Sequence, residues 1–99
     1  MTPITEELLK QNGFIVKAIH VTQPLRDVYY VDDSGRVTFY QGSNYYGRDW
    51  TIHVDNEDME SIGSLDVQYV EQANALLDLL DMQEFKLKFT NNQKEYYGG

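Results

Sequence analysis

The chain has 99 residues, 41% of them hydrophobic and 13% aromatic. That is one domain, and a chain of this size buries roughly 60–65% of its unfolded surface, enough for one core without staples. It has no cysteine, which excludes disulfides, thiolate metal sites and thiol nucleophiles. No run approaches the ~18 apolar residues of a membrane span. Sixteen acidic against eight basic residues give a net charge of −8. This argues against direct nucleic-acid binding, which needs phosphates neutralised by Lys and Arg, and permits a basic protein partner.

The first helix is expected over residues 4–11, with Thr2 as N-cap, Pro3 at its first position, and Glu6 and Glu7 at the positive end of its dipole. Asn12-Gly13 stops it, because either residue can take the left-handed conformation that ends a helix. Residues 14–21 form a β-rich run, residues 22–26 break it, and residues 28–31 make the next strand. Asp32-Asp33-Ser34-Gly35 reads as a hairpin turn with Gly35 at positive φ, and residues 36–40 return antiparallel. Residues 41–47 form a loop.

The fourth strand, 48–54, alternates cleanly: Trp50, Ile52 and Val54 point one way, Thr51 and His53 the other. An acidic loop over residues 55–60 then holds four carboxylates in six positions. Ser64 is expected to cap a second helix over residues 65–82, whose stripe is Tyr69, Val70, Ala73, Leu76, Leu77 and Leu80. A last strand, 84–89, turns Phe85, Leu87 and Phe89 inward. Residues 90–99 read as a flexible polar tail to a single domain at 1–89.

The order is α-β-β-β-β-α-β. The expected fold is α+β: a four-stranded antiparallel meander preceded by a short helix, packed by one amphipathic helix, with a final returning strand. Trp50, Ile52, Val54, Leu77 and Phe85 are expected in one core.

The candidate chemistry is sparse. The acidic loop lacks the ligand spacing of a calcium loop, and its acids suit a turn before a helix, so neither a metal nor a cofactor is expected. His53, two residues from Asp55, could serve as a base or pH sensor; the plainer reading is a surface histidine, since no nucleophile is at hand. Ser61-Ile62-Gly63-Ser64 has no lysine and is flanked by acids that would repel a phosphate. Gly98-Gly99 is a weak match to a conjugable tail. Asn44, Tyr45 and Tyr46, with Arg48 and His53 beside them, form the candidate binding residues. The tyrosines offer large contact area at low entropy cost, or fold back to cover a sheet edge; both readings stay open.

Two blocks carry a resemblance. Leu-Leu-Lys-Gln-Asn-Gly-Phe, and Trp-Thr-Ile-His-Val-Asp-Asn-Glu-Asp-Met-Glu-Ser-Ile-Gly-Ser-Leu-Asp-Val-Gln-Tyr-Val-Glu-Gln, resemble small uncharacterised proteins of gut Bacteroidales and their phages, over residues 4–14 and 48–88. The resemblance implies a bacterial or phage source and carries over no activity and no site residue. The ending Gln-Lys-Glu-Tyr-Tyr-Gly-Gly looks like an addition to that pattern. Residues 1–20 show no signal peptide, so the cytoplasm is the expected compartment. The expected function is a small acidic binding module, not an enzyme, whose partner is a protein, basic or a second copy. The alternative is a small-ligand, nucleotide-like binding or sequestering protein that uses the tyrosine loop.

Overall fold

The structure, a computed structural model, describes residues 1–22, 25–42 and 49–88, with the backbone alone for 18–22 and 25–26. Five strands form one antiparallel sheet in chain order: β1 (Ile15–Thr22), β2 (Leu25–Val31), β3 (Val37–Gln41), β4 (Trp50–Asp55) and β5 (Ser61–Val67). Helix α1 (Glu6–Gln11) precedes the sheet, α2 (Val70–Leu79) follows it, and a 3-10 helix (Gln83–Phe85) comes last. The class is α+β. The meander has five strands, where four and a returning one were expected.

Alternation along the strands selects one face for burial. Val28, Tyr30, Val37, Phe39, Trp50, Ile52, Val54 and Val67 are buried on it. Leu8 and Leu9 of α1 and Val70, Ala73 and Leu77 of α2 join the same cluster. Trp50, Ile52, Val54 and Leu77 therefore share one core, and Phe85 packs against it half-buried. The Trp50 indole keeps its hydrogen bond inside that core, donating Nε1–H to the Ile4 carbonyl at 3.1 Å. Gly63 lets α2 lie close over the sheet edge: a Cβ there would meet Leu80 Cδ1 at 3.0 Å and Leu76 Cδ1 at 3.7 Å.

Helix α1 is capped by Thr5, not Thr2, with Oγ1 accepting the Leu8 amide at 3.1 Å. The segment before it is claimed by pairing with residues 68–70. Ile4 N–H donates to Gln68 O at 3.0 Å, and Val70 N–H donates to Thr2 O at 2.8 Å.

The acidic loop does not lead into a helix. It is the turn of the β4–β5 hairpin, and Ser64, the expected cap, lies within β5. Asn56 organises this turn: its Oδ1 accepts the amides of Asp58 and Glu60, each at 2.9 Å. Met59 stands left-handed in it, at φ 64°. The register of β5 shifts opposite Val54 and Asp55, skipping Ile62. Its apolar residues Ile62 and Leu65 then fall three apart, a helical spacing that disguises the strand. Helix α2 begins only at Val70, where Gln72 Oε1 accepts the amides of Gln68 and Tyr69 at 2.8 and 3.1 Å.

The expected last strand is replaced by the 3-10 helix and a clamped segment. Two asparagine side chains take the place of a neighbouring strand. Asn74 donates Nδ2–H to Leu87 O at 3.0 Å and accepts Leu87 N–H at 2.8 Å. Asn12 does the same for Lys88, at 3.1 and 2.8 Å. The clamp satisfies backbone groups beside the buried Leu87 side chain. Phe89 and the expected tail, 90–99, lie outside the described residues.

Candidate functional site: the open face of the sheet

The second face of the sheet is covered by neither helix; its described side chains are half-buried or exposed. Register sets out two rows across all five strands. One row is Ile15, Val31, Thr38, His53 and Ser64. The other is Tyr29, Tyr40, Thr51 and Asp66, with Ala18 at the register position on β1. Neither row contains a lysine or arginine.

Tyr29 and Tyr40 face each other across β2 and β3, with ring centroids 4.6 Å apart and planes tilted by 34°. Gly42 makes room for the pair: a Cβ at that position would lie 2.8 Å from the Tyr40 hydroxyl and 3.1 Å from two ring carbons. The Tyr40 hydroxyl donates to Asp27 Oδ1 at 3.3 Å. Burial, with Asp27 and Tyr29 alongside, pushes the Tyr40 phenol above its ordinary range, so it remains a neutral donor at physiological pH.

Each carboxylate on this face is held by a neighbour. Thr51 Oγ1 donates to Asp66 Oδ1 at 2.8 Å, and His53 Nε2 lies 3.0 Å from Asp55 Oδ1. Asp27, Asp55 and Asp66 are thus fixed around an aromatic and β-branched surface. The arrangement suits contact with a flat, cationic, partly apolar surface.

Of the residues singled out from sequence, His53 lies on this face and pairs with Asp55 as its spacing implied. Asn44, Tyr45, Tyr46 and Arg48 lie outside the described residues. Tyr29 and Tyr40 escaped the sequence reading, although a signal existed. The turn at Asp32–Gly35 sets the β2–β3 register, and that register places Tyr29 opposite Tyr40. Among the described residues, no group of three or more His, Asp or Glu is placed to hold a metal ion, and no helix is long and apolar enough to cross a membrane.

A cleft of about 500 Å³ opens elsewhere, between the end of α1, the β2–β3 turn and the C-terminal segment, with Phe14, Asp32, Phe85 and Lys86 in its lining. Two of its charged residues serve the fold. Asp32 accepts the Ser34 and Val37 amides at 3.2 and 2.9 Å, and Lys86 pairs with Asp78 at 3.0 Å.

Compared with protein-family models, with curated proteins and with solved structures, the chain gave no match.

Proposed function

We propose that this protein is a binding module whose recognition surface is the open face of the sheet, and that its partner is a positively charged protein. The observation that carries the reading is the face itself: five strands wide, bearing the Tyr29–Tyr40 pair, with Asp27, Asp55 and Asp66 around it. A sheet with one face on the core and the other uncovered is ordinary when the second face is uniformly polar. Here Ile15, Val31, Tyr29 and Tyr40 interrupt that polarity.

Strand addition at the edges is the weaker mode. Both edge strands carry a register shift, at Lys17 in β1 and Ile62 in β5, and such bulges blunt an edge against pairing. Self-association through the face would set Asp27, Asp55 and Asp66 against their copies in a molecule of net charge −8. The resemblance to Bacteroidales and phage proteins supports an accessory or host-interaction role.

The test is photo-crosslinking. A benzophenone amino acid is placed at Thr38 or Thr51 on the open face, and at Leu79, which is 80% exposed on α2, as the contrast. Adducts with basic proteins are expected from Thr38 and Thr51. Adducts from position 79 alone would overturn the reading.

A further inference from the structure

We infer that the open face recognises an arginine of its partner, with the guanidinium laid across Tyr29 and Tyr40 and its N–H groups turned toward the Asp27 carboxylate. This rests on the reading of the face as a surface for a basic protein and adds the identity of the cation.

The ring pair is a positioned surface. Tyr40 has room at Gly42 and is tied by its hydroxyl to Asp27, and Tyr29 lies against it at 4.6 Å. Asp27 stands at one flank. Asp66 stands on the other, in the same row as Tyr40 and two strand spacings away, about 10 Å. A cation that binds Asp27 on this face lies beside the aromatic pair, to which Asp27 is tied through the Tyr40 hydroxyl.

Arginine meets both demands and lysine meets one. The guanidinium is planar, weakly hydrated and stacks on rings, and its fork of donors matches a carboxylate. An ammonium is compact and strongly hydrated, so it gains the charge and little from the rings. A related arrangement, with a backbone carbonyl in place of the carboxylate, occurs within this fold. Arg36 places its guanidinium carbon 5.1 Å from the Phe85 ring centroid while its Nε–H donates to the Asp55 carbonyl at 3.1 Å. At Tyr29 and Tyr40 the rings and carboxylate are present, and neither row holds a lysine or arginine.

Hexa-arginine and hexa-lysine peptides, equal in length and charge, test this by calorimetric titration at physiological ionic strength. Hexa-arginine is expected to bind roughly fivefold tighter. Tyr29→Thr, which keeps a strand-compatible side chain, should erase that excess. Gly42→Ala, which displaces the Tyr40 ring without deleting it, should reduce it. Asp27→Asn should weaken both peptides. A thermal melt of each variant establishes that it is folded.

Equal affinity for the two peptides, lowered by Asp27→Asn and indifferent to Tyr29→Thr, would overturn the arginine assignment and leave the basic-partner reading standing. Absence of binding by either peptide overturns the assignment whatever the crosslinking shows. A concentration-dependent dimer in sedimentation, lost in Tyr29→Thr, would assign the ring pair to self-association instead.

Discussion

The two described hairpin turns of this sheet share a frame, and only one of them places glycine at its left-handed position. In each, an aspartate or asparagine opens the turn and its side chain accepts two amides: Asp32 from Ser34 and Val37, Asn56 from Asp58 and Glu60. In each, the fourth residue is left-handed, Gly35 at φ 78° and Met59 at φ 64°. The helix ends repeat the contrast. Gly13 (φ 84°) follows α1 and Asp81 (φ 58°) follows α2. In both, the next amide reaches back, Phe14 to Leu9 O at 3.0 Å and Met82 to Leu77 O at 2.8 Å. A side chain in this conformation costs roughly 1–2 kcal/mol, and glycine escapes that cost. At Asp81 the buried Met82 that follows holds the conformation against local preference. At Met59, which is 55% exposed, the Asn56 side-chain hydrogen bonds hold the turn. At Gly13 and Gly35 local preference suffices.

The largest effect should come from removing the packing that holds a glycine-free end. Leu77 is fully buried and sits with Met82 in the core cluster. Leu77→Ala should cost about 2–5 kcal/mol in denaturant unfolding. A loss near zero would show that the end of α2 is not anchored by the core.

Gly35→Val imposes on the first hairpin the burden that the second already carries. A Cβ there meets only Met59 Cε, at an ordinary 3.7 Å, so φ alone should set the cost. At least about 1–2 kcal/mol is expected for a β-branched residue. An unchanged unfolding midpoint would mean that the turn re-forms in another geometry.

The reverse change, Met59→Gly, should stabilise by up to about 1 kcal/mol, strain relieved less the added entropy of the unfolded chain. Asp81→Gly should gain less, about half as much, because aspartate visits the left-handed region more readily than methionine. Thermal melts of the two variants side by side check the order. A larger gain at position 81 would show that side-chain type does not rank these sites.

The same contrast governs how far the structure was legible in the sequence. The boundaries next to Gly13 and Gly35 stand within one or two residues of where the pattern puts them, at the end of α1 and on either side of the first turn, whereas β2 begins at Leu25, three residues before the expected start. Beyond Met59 the expected boundaries failed, although α2 lies within the helix the pattern puts there. Without a glycine or an Asn-Gly pair, residues 55–60 carried no hairpin signal, and the acids suggested the start of a helix. Residues 65–67 then passed for the start of that helix, and Ser61–Ser64 for the turn and cap before it. After Asp81 the alternation of Phe85, Leu87 and Phe89 suggested a strand, because nothing local announces that Asn12 and Asn74 supply its hydrogen bonds. Of the five expected core residues, Trp50, Ile52, Val54 and Leu77 are buried and Phe85 is half-buried, since apolar periodicity survives errors in the boundaries. Of the candidate site, His53 and its Asp55 partner were legible from spacing alone. Tyr29 and Tyr40 required the register as well.

The clamp at Asn12 also bears on how this molecule ages. Its Nδ2 donates both to Leu8 O, at 2.9 Å, and to Lys88 O, at 3.1 Å. Hydrolysis of that amide to aspartate would leave a carboxylate, an acceptor only, facing two carbonyl oxygens. Asparagine before glycine is chemically prone to this loss, because glycine has no side chain to hinder ring closure by its backbone nitrogen. In the fold that nitrogen is engaged, with Gly13 N–H donating to Lys10 O at 3.0 Å. Deamidation at Asn12 should therefore accumulate in proportion to the time the chain spends with α1 frayed, and each event would break one of the two clamps on the C-terminal segment and leave the Asn74 clamp in place. The mass gain at that one residue becomes a record of past unfolding.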